Sequence, residues 1–191
     1  MRALAMGQYG HNNQPSHHIL YLFAMLGESA STEKYVRQVM QRAYGPDYYA
    51  GDEDNGEMGA WFVLSALGLY SAVPSTPYYV LGSPLFKHVT LHRGVKDNQP
   101  QTFDIVALGT SQSAIHVSSV YLNGASVDRG RALVSDVDIQ RSGVLQFIME
   151  GEPDIPLALE ADKSGQLTRL PVSVRSFIQR GESSPSRVRE N

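Results

Sequence analysis

Cysteine is absent from the 191 residues of this chain, which excludes disulfide bonds and thiolate metal sites. Long apolar runs are lacking too, because no stretch reaches the roughly 18 residues that a membrane-spanning helix needs. Residues 1–8 are too few and too polar for a signal peptide. A formal net charge of −3 supplies no basic surface and argues against nucleic acid as a partner. The length suffices for one or two domains with a hydrophobic core.

The most informative stretch is an acidic run, residues 51–57, that leads directly into the apolar residues 58–70. Asp54 or Asn55 is expected to cap a helix with Glu57 in its first turn, because oxygens and negative charge are favoured at helix N-termini. The helix is apolar on nearly all sides, which indicates burial, and the single tryptophan is expected in the core. Carboxylates at the mouth of a buried helix indicate a cation site or a catalytic group. The alternative is a solvated loop that only caps the helix.

A second polar segment, residues 9–18, precedes another apolar helix, residues 19–26. Pro15 suits the first turn of that helix. Asn13 and Gln14 offer side-chain oxygens, which with a nearby carboxylate suit Ca²⁺ better than zinc or copper. The segment therefore predicts a second cluster of polar residues at the N-terminus of a buried helix.

The two polar segments are expected on the same face, because one full helix runs back between them. Asp52 and Asp54 are the sharper catalytic candidates, since paired carboxylates can hold a water molecule as a general base must. His17 and His18 are weak metal ligands together, because neighbouring helical residues point about 100° apart. A hydrogen-bonded structural role is the simpler interpretation of each histidine.

The remaining chain divides into a helical part and a β part. The helix between the two polar segments is amphipathic, and its charged and amide side chains are expected to face solvent: Glu33, Lys34, Arg37, Gln38 and Arg42. After Tyr70 the period changes to two, and strands are predicted at 79–81, 89–92, 102–106, 119–122, 133–134 and 144–149. Asn123-Gly124 is a strong hairpin signal. The predicted fold class is α+β, with a helical part at 1–75, an antiparallel β domain at 76–153, further strands within 154–178 and a disordered tail at 179–191.

Three motifs, in this order, resemble glycoside hydrolase family 92: residues 13–18, residues 51–61 and residues 79–86. The resemblance covers about residues 5–153, including the strand and turn at 120–124. It implies calcium-dependent, exo-acting α-mannosidases that invert the anomeric configuration and most often cleave α-1,2 links. It also implies an (α/α)₆ barrel with β-sandwich elements, of which this chain would hold the last helices and an antiparallel β-sandwich-like domain.

The resemblance assigns roles by position in this sequence. Asp54 looks like the general base that activates water, and Asp52 looks like its partner carboxylate. The Asn13-Gln14 turn resembles the segment that helps bind Ca²⁺, although many relatives have glutamate in place of this glutamine. His17 and Glu53 are the implied substrate-binding residues.

The general-acid glutamate of the family lies upstream of the Asn-x-Pro segment, and Glu28, Glu33 and Glu57 do not match that context. We therefore expect the C-terminal portion of a mannosidase, inactive alone and acting with a missing N-terminal portion on mannose-containing glycans such as N-glycans or mannans. The family suggests a secretory, periplasmic or lysosome-like location. The alternatives are a non-catalytic calcium-dependent carbohydrate-binding or interaction module and a purely structural α+β domain.

Overall fold

The computed structural model of the chain describes residues 5–6, 9–96 and 98–151, within a compact unit that spans Met1–Pro153. The helices are α1 (Ile19–Met25), α2 (Ser29–Arg42), α3 (Glu57–Leu67) and α4 (Asp136–Ile139), and a 3-10 turn covers Gln14–Ser16. The strands predicted within 154–178 and the tail predicted at 179–191 lie outside the described residues. In the described part, no helix is long and apolar enough to cross a bilayer.

Two small hairpins and two larger sheets make up the β structure. The hairpins pair β1 (Ala5–Met6) with β2 (Tyr9–Gly10) and β3 (Tyr44–Gly45) with β4 (Tyr48–Tyr49). The other strands are β5 (Leu69–Tyr70), β6 (Tyr78–Leu81), β7 (His88–Lys96), β8 (Gln99–Leu108), β9 (His116–Leu122), β10 (Ala125–Ser126), β11 (Leu133–Ser135) and β12 (Gly143–Glu150). The fold is therefore a mixed α and β structure, as the α+β prediction requires.

The larger sheet has five strands in the order β10-β9-β12-β8-β7. Asn123 and Gly124 have φ of 50° and 82° and form the predicted turn between β9 and β10. Strand β12 pairs antiparallel with β9 but parallel with β8, so the prediction of a purely antiparallel domain is wrong at this pair. The error has a physical reason, because alternating burial along a strand is the same for either direction of its neighbours.

The smaller sheet has three strands in the order β11-β6-β5. Strand β5 precedes residue 75 and pairs with β6 beyond it, so hydrogen bonds cross the predicted domain boundary. That boundary and the barrel and sandwich assignments stay predictions. The sheet brings α3, which ends directly before β5, close to the β part of the chain.

The core joins the helices to both sheets. Trp61 is 1% exposed, which confirms the prediction that it lies in the core. The other large buried apolar side chains come from α1, α3 and the central strands: Tyr21, Met58, Phe103, Ile105, Leu145 and Phe147. Burial of each such side chain stabilises the fold by roughly 1.5–3 kcal/mol.

Helix α1 is only half buried, which corrects the prediction of a buried helix. Leu20, Tyr21 and Ala24 face the core, at the spacing of one helical face. The opposite face exposes Ile19, Leu22, Phe23 and Met25, each between 36% and 39%. An apolar surface on this helix therefore has no cover within the described residues.

Helix α2 corrects a second prediction. Lys34 and Arg42 are exposed as expected, but Glu33 and Arg37 are each only 3% exposed. Both side chains lie among polar groups of the β part, where hydrogen bonds compensate for lost hydration. A helical pattern alone therefore misplaces these two charges.

Candidate functional site

The two polar loops predicted to share one face are in direct contact. The side-chain amide nitrogen of Gln14 donates a hydrogen bond to the backbone oxygen of Asp52, with a separation of 2.5 Å. Gly51 has φ of +88° and packs on the backbone of Asn12, whose oxygen would clash with a Cβ at position 51. Glycine is required there, because it alone tolerates both the left-handed backbone and the close approach.

The acidic loop has an unusual backbone that presents its carboxylates. Asp54, Asn55 and Gly56 have φ of 47°, 60° and 90°, three successive residues in the left-handed region. Side-chain caps by Asp54 or Asn55 were predicted, but Gly56 precedes α3 and no side chain caps the helix from that position. Instead, Oε1 of Glu53 accepts a hydrogen bond of 3.0 Å from the backbone N–H of Gly59. The Asp54 side chain is therefore not used in helix capping.

The remaining predicted carboxylates lie around this loop. Asp52 and Asp54 are exposed, and Glu53 is half-buried. Glu57 begins α3 as predicted, and its side chain is 49% exposed. The loop thus offers exposed carboxylates beside the amide of Gln14.

His17 lies beneath this loop with its side chain enclosed. Its Nε2 lies 3.0 Å from the backbone oxygen of His11, so Nε2 carries the hydrogen and donates it. Its Nδ1 lies 3.6 Å from Oε1 of Glu57 and has no hydrogen-bond partner in the described structure. Burial lowers the pKa of His17. The ring therefore contacts Glu57 and the core rather than open solvent.

His11 was not singled out from the sequence, yet it organises the segment below the loop. The Tyr44 hydroxyl donates to the backbone oxygen of Met58 at 3.0 Å, so it accepts from Nε2 of His11 at 2.7 Å. Nδ1 of His11 then accepts from the Tyr9 hydroxyl at 2.7 Å. The ring also packs against Trp61 at 4.3 Å. Burial lowers the pKa of His11 to about 3, so the imidazole ring that joins the Tyr9 and Tyr44 hydroxyls is neutral.

The predicted calcium ligands supply part of a suitable oxygen set. Asn13 is exposed, and the nitrogen of the Gln14 amide is committed to Asp52, which leaves Oε1 of Gln14 for a ligand. Hard oxygens of this kind suit Ca²⁺, which takes about six to eight of them from side chains, backbone and water. The described residues contain no group of three or more histidine and carboxylate side chains placed for a metal. The two amides therefore fit Ca²⁺ in chemistry, as a partial shell.

Comparison with known proteins identifies the family. Residues 1–151 match the glycosyl hydrolase family 92 catalytic domain. The chain belongs to this family. Two of the three motifs that suggested it, residues 13–18 and 51–61, contain the loops that meet in the structure. No curated protein sequence matches the chain significantly.

Solved family 92 structures resemble the chain over most of its length. The family GH92 α-mannosidase BT3965 from Bacteroides thetaiotaomicron is 30% identical with a TM-score of 0.70, over 80% of this chain and 20% of its own. The inverting mannosidase BT2199 from Bacteroides thetaiotaomicron VPI-5482 is 37% identical with a TM-score of 0.66, over 76% and 19%. BT3965 in complex with mannoimidazole has a TM-score of 0.71 and 25% identity, over 93% and 24%. The family 92 chain thus spans about a fifth of these relatives.

Proposed function

We propose that this family 92 chain is the C-terminal part of an inverting exo-α-mannosidase that acts on mannose-containing glycans, with α-1,2 links as the preferred bond. The observation that carries the proposal is the contact between Gln14 and Asp52, which joins the two loops of the family motifs at one site. The resemblance to a solved inverting mannosidase supports the same reaction.

In this mechanism, Asp54 is the general base that removes a proton from the attacking water. Its carboxylate is exposed and makes no capping bond, so a water molecule can reach it. Asp52 is the neighbouring carboxylate that helps hold this water. An inverting glycosidase also needs an acid about 6.5–9.5 Å from the base. We propose that another part of the enzyme supplies this acid, so that the chain alone is inactive.

Asn13 and Gln14 are proposed to hold Ca²⁺ at the same site. When bound, the ion would grip sugar hydroxyls and favour a distorted ring. The contribution of the chain is orientation, because the hydrogen bond to Asp52 commits the amide nitrogen of Gln14 and leaves its oxygen for the ion.

Glu53 is proposed to bind substrate, and His17 to assist it indirectly. Oε1 of Glu53 is held by the N–H of Gly59, which orients the carboxylate for a sugar hydroxyl. The enclosed ring of His17 contacts Glu57, so its effect on substrate would pass through that side chain.

Replacement of Asp54 by asparagine in the complete enzyme tests the mechanism. We expect kcat on an α-mannoside to fall by about 10²–10⁴-fold, the usual contribution of a general base, with little change in the affinity for mannose. The exposed Asp47, replaced by asparagine, is the matched control and should retain activity. A near-normal kcat for Asp54→Asn would rule out Asp54 as the general base. Mannose binding without any hydrolysis by the wild type would favour the carbohydrate-binding module.

A further inference from the structure

Arg37 on α2 is a buried cation with neutral partners. The residue is 3% exposed. Its Nε donates to Oγ of Ser83 at 3.1 Å, and Nη2 donates to Oγ1 of Thr110 at 3.0 Å and to the backbone oxygen of Ser111 at 3.1 Å. None of the ion pairs formed among the described residues includes Arg37. Its positive charge therefore lacks a counter-charge in this part of the chain.

The nearest carboxylate along α2 is already committed. Glu33 lies one turn before Arg37, at the spacing that commonly forms a helical ion pair. Its Oε1 accepts from Nη2 of Arg129 at 2.7 Å, and its Oε2 accepts from Nδ1 of His116 at 3.0 Å. Glu33 thus neutralises Arg129 rather than Arg37.

The hydroxyls around Arg37 face it as acceptors. Ser83 donates its own hydrogen to the backbone oxygen of Ile115, and Thr110 donates to that of Pro84. Both hydroxyl hydrogens are therefore used elsewhere, and the lone pairs hold the guanidinium in one orientation. This arrangement fixes the direction of the remaining nitrogen, Nη1.

Nη1 of Arg37 is open to a ligand. It makes no hydrogen bond in the described structure, and it is not among the enclosed side-chain atoms without a partner, which are Nδ1 of His17 and Nε2 of His116. It is therefore not fully enclosed, although the residue as a whole is only 3% exposed, and its two N–H groups are unused. Burial lowers the pKa of Arg37, as expected for a charge with little compensation.

We propose that Nη1 of Arg37 is a receptor for a carboxylate or another oxyanion. A buried charge without a partner is costly, and planar guanidinium groups bind carboxylate and phosphate oxygens strongly. The oxyanion has two sources with the same chemistry. It is either a free small anion or an acidic side chain of the protein from outside the described residues.

The test compares wild type with Arg37→Gln and Arg42→Gln in the full chain. Arg42 is the matched control, because it is an exposed arginine in the last turn of the same helix. Arg37→Gln leaves Ser83 and Thr110 bonded to their carbonyl acceptors, while the backbone oxygen of Ser111 loses the donor Nη2. Unfolding temperature is measured with added phosphate or acetate against chloride at equal ionic strength. General salt effects act on all three proteins alike.

A second measurement follows the Arg37 side-chain N–H signals of the wild type by NMR without added anions. It does not depend on whether the variants fold. A rise in unfolding temperature with phosphate or acetate in wild type and Arg42→Gln, but not in Arg37→Gln, would identify a free anion. Protected Nη1 hydrogens without added anion, and no anion-dependent rise, would identify a carboxylate of the protein. Fast-exchanging Nη1 hydrogens and equal anion effects in all three proteins would overturn the proposal.

Discussion

Replacement of Glu33 tests how α2 is held against the β part of the fold. The carboxylate is 3% exposed and accepts from Arg129, from His116 and, at 3.2 Å, from the backbone N–H of Val117. Glu33→Ala removes the acceptor for two buried donors, His116 and Val117, and each unsatisfied donor costs about 1–3 kcal/mol. The Arg129 side chain is 32% exposed and can bind water instead, so the loss of its ion pair adds little to the cost in unfolding free energy.

The expected loss of unfolding free energy is therefore about 3–5 kcal/mol for Glu33→Ala. Glu33→Gln keeps one oxygen for the buried donors and should cost about 1–2 kcal/mol. The exposed Glu28, replaced by alanine, serves as control and should change stability by at most about 0.5 kcal/mol. Urea unfolding can be followed by the fluorescence of Trp61, the single tryptophan, which is 1% exposed. A cost for Glu33→Ala below about 1 kcal/mol would refute the reasoning.

The same site predicts a pH dependence with a definite sign. Burial raises the pKa of Glu33, against the opposing effect of Arg129, His116 and the Val117 N–H. The folded state then binds more protons than the unfolded state above the ordinary glutamate pKa. The stabilisation that comes from this extra proton binding is complete below the pKa of Glu33 in the unfolded state. It is lost as the pH rises through the pKa of Glu33 in the folded state. The stability of wild type relative to Glu33→Gln should therefore fall with rising pH in that window. A relative stability that rises with pH would contradict the assigned shift.

Two further predictions concern the paired loops. Gly51→Ala should be about 2 kcal/mol more destabilising than Gly94→Ala, because both glycines have φ near +90° but only the Cβ at position 51 would meet the backbone of Asn12. Equal unfolding free energies of the two variants would contradict close packing between the loops. Added Ca²⁺ should raise the unfolding temperature of the full chain. Asn13→Ala should reduce that rise, while the exposed control variant Gln112→Ala should keep it. An unchanged rise in Asn13→Ala would rule out Asn13 as a calcium ligand.

Local signals in the sequence predicted much of the fold. The apolar run after the acidic loop predicted α3, and its Trp61 lies in the core as predicted, although Leu69 and Tyr70 at the end of the run form β5 instead of helix. The Asn123-Gly124 pair predicted the β9–β10 turn, because few other residue pairs adopt two consecutive left-handed conformations. The motif order also led to the family that the comparison confirmed.

The two loops were predicted to lie on one face because a single helix runs back between them, but their contact and its atoms were not predicted. The role of Gln14 as a donor to Asp52 depends on a backbone oxygen, and any residue type presents one. The cap of α3 was predicted wrongly, because Asp54 and Asn55 adopt left-handed conformations before the helix and Gly56, which has no side chain, takes the N-cap position. Catalytic, metal and substrate roles remain predictions that the experiments above address.

The sequence by itself determined the periodicities, the turns and the family motifs, because each depends on residues that are close along the chain. Only the tertiary structure decided the partners of Glu33 and Arg37, which lie 96 positions away at Arg129 and 73 positions away at Thr110. It also decided that β12 runs parallel to β8. A side chain with the same spacing can face water or a buried partner, and the choice depends on which distant segment packs over it.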